Sequence, residues 1–169
     1  MFFTAGDHAR IKIFSLPVPA TPPTSSTDPA LAASFLTPRE LTASGAAASI
    51  QPLPRGRLLF TRSSLAAPND AFVLRALDAP GTLAPAVEQL TRLADPALAG
   101  KRLDAGADFW FTGAEGRRVH GWTLKPPGFK EGEARKWPVL LLIHGGPEGA
   151  WEDQWSNRWN PNGERNSCM

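Results

Sequence analysis

Two stretches of the first hundred residues carry the same strand pattern at nearly the same spacing, and no other feature limits the fold as much. Phe3 recurs as Phe60 and Phe14 as Phe72, offsets of 57 and 58 residues. In the first copy Phe2-Phe3-Thr4 is a short apolar run that stops at Gly6-Asp7. Arg10-Ile11-Lys12-Ile13-Phe14-Ser15-Leu16 then alternates polar with apolar residues, as a strand with one buried face does. In the second copy Leu58-Leu59-Phe60-Thr61-Arg62-Ser63 reads as a strand, Pro68-Asn69-Asp70 as a turn, and Ala71-Phe72-Val73-Leu74-Arg75 as the returning strand. Leu41-Thr42 and Leu90-Thr91 close the two units in the same way. A repeat of about 50 residues built from paired strands fits the blades of a β-propeller, whose periods run roughly 40–50 residues, and fits a plain antiparallel meander as well.

Composition removes most other classes. The 169 residues hold 18 basic and 16 acidic side chains, a net charge of +2 that is too mild to argue for nucleic acid. No apolar run reaches the roughly 18 residues that span a bilayer. The opening Met1-Phe2-Phe3-Thr4 has neither the basic nor the apolar region of a secretory leader. A lone cysteine, Cys168, excludes a disulfide framework and a cysteine-type zinc cluster. Nothing in the sequence calls for a cofactor.

The second half differs in character. All six tryptophans lie between Trp110 and Trp159, whereas residues 17–38 and 41–54 are rich in Pro, Ser, Thr and Ala. The change falls near residues 100–107. Phe109-Trp110-Phe111 and Val119-His120-Gly121-Trp122-Thr123-Leu124 read as two strands joined by a turn at Gly113-Ala114-Glu115-Gly116. Lys125-Pro126-Pro127-Gly128 ends the second, because proline cannot donate to a sheet ladder. After Trp137-Pro138 the run Val139-Leu140-Leu141-Leu142-Ile143 has no polar alternation, which predicts a strand buried on both faces of a mostly parallel sheet.

Directly after that run stands His144-Gly145-Gly146-Pro147. An α/β-hydrolase places such a glycine-rich loop after a buried strand, where one backbone N–H forms half of an oxyanion hole. Glycine serves there because the main chain must approach the substrate oxygen to about 3 Å without a Cβ in the way. The same residues also suit an ordinary strand-ending turn. His8, at a turn, and His120, within a strand, are read as structural.

Asp108-Phe109-Trp110-Phe111, Val119-His120-Gly121-Trp122, the stretch from Trp137-Pro138 to His144-Gly145-Gly146-Pro147, and Trp151-Glu152-Asp153-Gln154-Trp155 together resemble the prolyl oligopeptidase family of serine peptidases. Within it the likeness is to the fungal dipeptidyl-peptidase V group. Phe3-Thr4-Ala5-Gly6-Asp7-His8-Ala9-Arg10, Leu58-Leu59-Phe60-Thr61-Arg62-Ser63-Ser64 and Gln89-Leu90-Thr91-Arg92 are similar to the later part of that group's propeller. The resemblance implies a mixed fold: the end of a β-propeller over residues 1–103, roughly one and a half blades, then the first strands of an α/β-hydrolase domain over 104–162. It implies peptide substrates and a Ser-Asp-His triad whose nucleophile sits in Gly-x-Ser-x-Gly. No serine here is so flanked; Ser44, Ser156 and Ser167 all lack the motif. The triad is expected downstream, so that the chain corresponds to a truncated, inactive piece. The likeness assigns the oxyanion donor to Gly146 N–H, with His144, Gly145 and Pro147 shaping the loop.

Residues 163–169, Gly163-Glu164-Arg165-Asn166-Ser167-Cys168-Met169, have no apolar periodicity and read as an out-of-context tail. The alternative to a peptidase fragment is a non-catalytic β-rich interaction or decoy module.

Overall fold

The computed structural model describes residues 1–16, 37–75, 86–146, 148–158 and 160–164. Most of the Pro/Ser/Thr/Ala-rich stretch 17–38, and Arg165 to Met169 of the tail, lie outside them. The described chain is mostly strand: β1 Phe2–Asp7, β2 Arg10–Ser15, β3 Arg39–Glu40, β4 Ala46–Leu53, β5 Arg57–Ser64, β6 Ala67–Arg75, β7 Ala86–Gln89, β8 Ala107–Thr112 and β9 Arg118–Thr123. Helix is limited to single turns at Asp95–Leu98, Pro161–Glu164 and a 3₁₀ turn at Ala114–Gly116. Strands β1 to β7 form one sheet in the order β1-β2-β4-β5-β6-β7, with β3 also paired to β2. A separate hairpin holds β8 and β9. Neither sheet closes into a barrel.

The repeat is carried in detail by backbone pairing. Phe3 faces Phe14 across β1 and β2, and Phe60 faces Phe72 across β5 and β6. Each pair stacks with ring centroids 5.7 Å apart, a cross-strand contact of the kind that holds antiparallel pairs in register. The returning strands match as well: Phe14 sits opposite Glu40, and Phe72 opposite Gln89. Leu41 N–H donates to Ile13 C=O at 2.8 Å while Ile13 N–H donates to Thr42 Oγ1 at 2.9 Å. Leu90 N–H donates to Ala71 C=O at 2.8 Å while Ala71 N–H donates to Thr91 Oγ1 at 2.9 Å. The two Leu-Thr pairs are therefore the same device used twice.

One position in each unit differs in sign. Lys12 is buried and gives its ammonium to Asp7 at 2.6 Å and Glu40 at 2.9 Å. The matching Asp70 is buried and accepts from Thr91 Oγ1 at 2.6 Å, Leu93 N–H at 3.0 Å and Gln89 Nε2 at 3.2 Å. Both charges are tolerated in a protected place because their polar atoms are paired.

Strand β4 precedes the second unit, so β4 to β7 make a four-stranded antiparallel meander; a single parallel bridge, Ile11 to Ala46, joins it to β2. The core lies on this sheet: Ile13, Leu41, Ala47, Leu58, Phe60, Phe72 and Leu74. Each fully buried large apolar side chain there is worth about 1.5–3 kcal/mol over its exposed state.

Two expectations are corrected. Pro68-Asn69-Asp70 is not a turn; the chain reverses at Leu65-Ala66, and all three residues belong to β6. Pro68 is accommodated because the register between β5 and β6 shifts just there, between Arg62 and Ser64, so no ladder N–H is required of it. The apolar run of residues 139–143 is neither a strand nor buried. Val139 is 92% and Ile143 83% exposed, and no regular structure is formed. A two-face-buried strand needs ladder partners on both sides, and among the described residues none lies beside this run.

Candidate functional site

After the exposed run, the main chain bends at Gly145 and Gly146. Gly146 has φ +64, the left-handed region where a Cβ is strained. Gly149 N–H donates to Gly146 C=O at 2.6 Å and closes the turn, and His144 Nδ1 lies 3.2 Å from Gly145 O. Around Gly145 and Gly146, no atom of the described residues beyond their chain neighbours comes within 4 Å of where a Cβ would stand, so the loop backbone faces open space. Pro147, the fourth residue singled out from the sequence, lies outside the described residues. His144 and Gly145 instead border a cleft of about 510 Å³, whose other walls include Leu65, Trp151, Gln154 and Ser156. An open backbone turn beside a largely apolar cleft can present N–H donors to a ligand oxygen.

What fixes the far side of that cleft was not read from the sequence. Asp153 is buried, and each of its carboxylate oxygens takes one backbone N–H: Oδ2 from Gly45 at 2.8 Å and Oδ1 from Leu65 at 3.0 Å. Its own N–H donates to Ala9 C=O at 2.8 Å. Asn162, also buried, donates from Nδ2 to Leu65 C=O at 2.9 Å and to Asp104 C=O at 3.1 Å, and its Oδ1 accepts from Asp104 N–H at 3.0 Å. Trp155 N–H adds a bond to Ser63 Oγ at 3.3 Å. The segment from Trp151 to Asn162, which the sequence groups with residues 104–162, is thus sewn to the turns and strand ends of the first sheet. The only advance signal was the likeness of Trp151-Glu152-Asp153-Gln154-Trp155 to a family segment; an aspartate between aromatic residues does not announce that it is buried.

The two sheets meet through charge and rings. Arg10 donates from Nη2 to Asp108 Oδ1 at 3.0 Å, and its guanidinium lies 4.9 Å from the Trp122 ring. The Arg10 hydrogen bond holds the Asp108 carboxyl below its ordinary range. His120 projects from β9 between Trp110 and Trp122, with ring centroids at 4.9 and 5.4 Å, and its Nε2 is 3.8 Å from Asp108 Oδ2. Burial lowers its pKa below that of an ordinary histidine. His8 sits in the β1–β2 turn, pairs with Asp7 at 3.0 Å, and meets the Trp110 ring edge-on. Neither histidine lines the cleft that borders His144 and Gly145. Among the described residues no cluster of His, Cys, Asp and Glu could hold a metal ion, and no helix is long and apolar enough to cross a membrane.

No protein-family model matches the chain. Individual proteins do. A dipeptidyl-peptidase 5 of Schizosaccharomyces pombe is 52% identical over 54 residues, 32% of this chain and 8% of that protein. A probable dipeptidyl-peptidase 5 of Emericella nidulans and a dipeptidyl-peptidase 5 of Arthroderma otae are each 43% identical over 67 residues, 40% of this chain and 9% of theirs. The matched stretch is therefore less than a tenth of the length of these relatives. Over that stretch the chain resembles a part of dipeptidyl-peptidase 5, the group to which its sequence motifs pointed.

Proposed function

We propose that the chain is a portion of a serine-type dipeptidyl-peptidase that acts on peptide N-termini. The observation that carries this reading is the 43–52% identity to proteins named dipeptidyl-peptidase 5. In it, residues 1–103 are the end of a β-propeller, and 104–162 open an α/β-hydrolase domain. The paired units β1-β2-β3 and β5-β6-β7, with their repeated Leu-Thr device, support the first part, since a blade is a four-stranded antiparallel meander such as β4 to β7. The second part is supported by the His144-Gly145-Gly146 turn, whose backbone stands open beside a cleft.

In this reading Gly146 N–H is one oxyanion donor, and His144 and Gly145 belong to its loop. The nucleophile, base and second donor are not supplied by this sequence, which has no Gly-x-Ser-x-Gly. A donor without a nucleophile and base supplies only a small part of acyl-transfer catalysis. The test is direct. The purified chain is treated with a fluorophosphonate probe and, separately, with a chromogenic dipeptidyl amide. Neither serine labelling nor turnover is expected, and stoichiometric labelling of any of its serines overturns the reading that this sequence lacks the nucleophile.

A further inference from the structure

Leu65 occupies an unusual place. It lies at the tip of the β5–β6 hairpin, where its N–H and C=O are outside the strand ladder. Both are taken by side chains from the other part of the chain: the N–H by Asp153 Oδ1 and the C=O by Asn162 Nδ2. Its own side chain, 2% exposed, forms a wall of the cleft that borders His144 and Gly145. The second oxygen of Asp153 reaches Gly45, whose φ is +76 and where a Cβ would stand 2.5 Å from Ser63 O. Asp153 N–H meanwhile caps Ala9, which with His8 forms a turn of two non-glycine residues at positive φ (56 and 48). Such a turn is strained for residues that carry a Cβ and persists where the surroundings hold it. One residue thus gathers the β1–β2 turn, the entry to β4 and the β5–β6 tip.

We propose that Asp153 is a positioning residue, which with Asn162 sets the His144-Gly145-Gly146 loop and its cleft against the hairpin ends of the first sheet. Gly149, which closes the loop turn, is four residues before Asp153, so the carboxylate fixes the point from which the loop departs. A charged acceptor buried with two N–H donors is a strong and directional tie. The role as a loop-positioning residue rests on the peptidase reading above, whereas the ties themselves do not.

The test uses the full isotopically labelled chain and its Asp153→Asn and Asp153→Ala variants, followed by amide NMR and hydrogen exchange. Asparagine keeps one acceptor and turns an NH₂ toward the other donor. One of the Gly45 and Leu65 amides is then expected to stay protected while the other exchanges about tenfold faster or more; with alanine both do so. The resonances of His144, Gly145, Gly146 and Gly149 should shift in both variants, while exchange at Phe60 and Phe72 in the core stays unchanged. Asn162→Ala should move the same loop resonances without exposing Gly45. If Gly45 and Leu65 stay as protected in Asp153→Asn as in the parent, or if they open while the loop resonances stay fixed, the proposal is wrong. Serine labelling by fluorophosphonate would instead overturn the placing of the nucleophile outside this sequence, and leave these exchange results standing.

Discussion

Thr42 gives the sharpest test of the repeated Leu-Thr device. Its side-chain oxygen is the acceptor for Ile13 N–H at 2.9 Å, and Thr42, Ile13 and Leu41 are all buried. Thr42→Val keeps the shape and removes the acceptor, leaving Ile13 N–H without a partner in a place water does not reach. An orphaned buried donor costs about 1–3 kcal/mol, and the lost bond is included in that range. With a urea dependence of about 1–3 kcal/mol per molar, the unfolding midpoint should fall by roughly 0.3–3 M with an unchanged slope. Thr42→Ser restores the acceptor and should recover most of the loss. In the second unit Thr91→Val removes the acceptor of Ala71 N–H and a donor to Asp70. Thr91 is only half-buried and Asp70 keeps Leu93 N–H and Gln89, so water and these partners reduce the cost below that at Thr42. The assay is urea unfolding of the whole chain by far-ultraviolet circular dichroism. A Thr42→Val midpoint equal to the parent's, or a serine variant as weak as valine, refutes the reasoning.

Other outcomes follow from the same geometry. The Thr91 hydroxyl foremost, with Leu93 N–H, holds the Asp70 carboxyl below its usual range, so its stabilisation is present above the ordinary aspartate value of about 4 and is lost as pH falls through the lowered one; Asp70→Asn should flatten that acid limb in unfolding measured from pH 6 to 2. Burial lowers the pKa of His120, so stability should decline as pH drops below the ordinary histidine value of about 6.5, a dependence that His120→Gln should remove when the same unfolding is followed down from about pH 8. Gly45→Ala combines a φ of +76 with a Cβ driven against Ser63 O and should cost about 2 kcal/mol or more in urea unfolding. The exposed run 139–143 should bind a hydrophobic dye and promote self-association; Leu141→Lys, at a site 77% exposed, should reduce both with a stability change within about 0.5 kcal/mol.

The sequence alone determined the strands whose signal is local. Alternation in Arg10–Ser15, the apolar run from Leu58, and the spacing of Phe3, Phe14, Phe60 and Phe72 were enough to place two matching units, because a half-buried strand writes its period of two directly into the chain. The match of Leu41-Thr42 with Leu90-Thr91 was visible as a pattern, and the structure supplied its reason in two pairs of hydrogen bonds. The β8–β9 hairpin was legible for the same cause. Features fixed by partners distant in sequence were not. Pro68-Asn69-Asp70 carries the composition of a turn, yet a register shift and the hydrogen bonds to Asp70 keep it in a strand. The run at 139–143 has the composition of a buried strand, but burial is a property of neighbours, and there is no strand beside it among the described residues. In Asp153 and Asn162 nothing local marks two buried clamps. Only the tertiary structure decides that they meet Gly45 and Leu65, 108 and 97 residues away, where backbone groups at the entry to β4 and at the β5–β6 hairpin tip require partners.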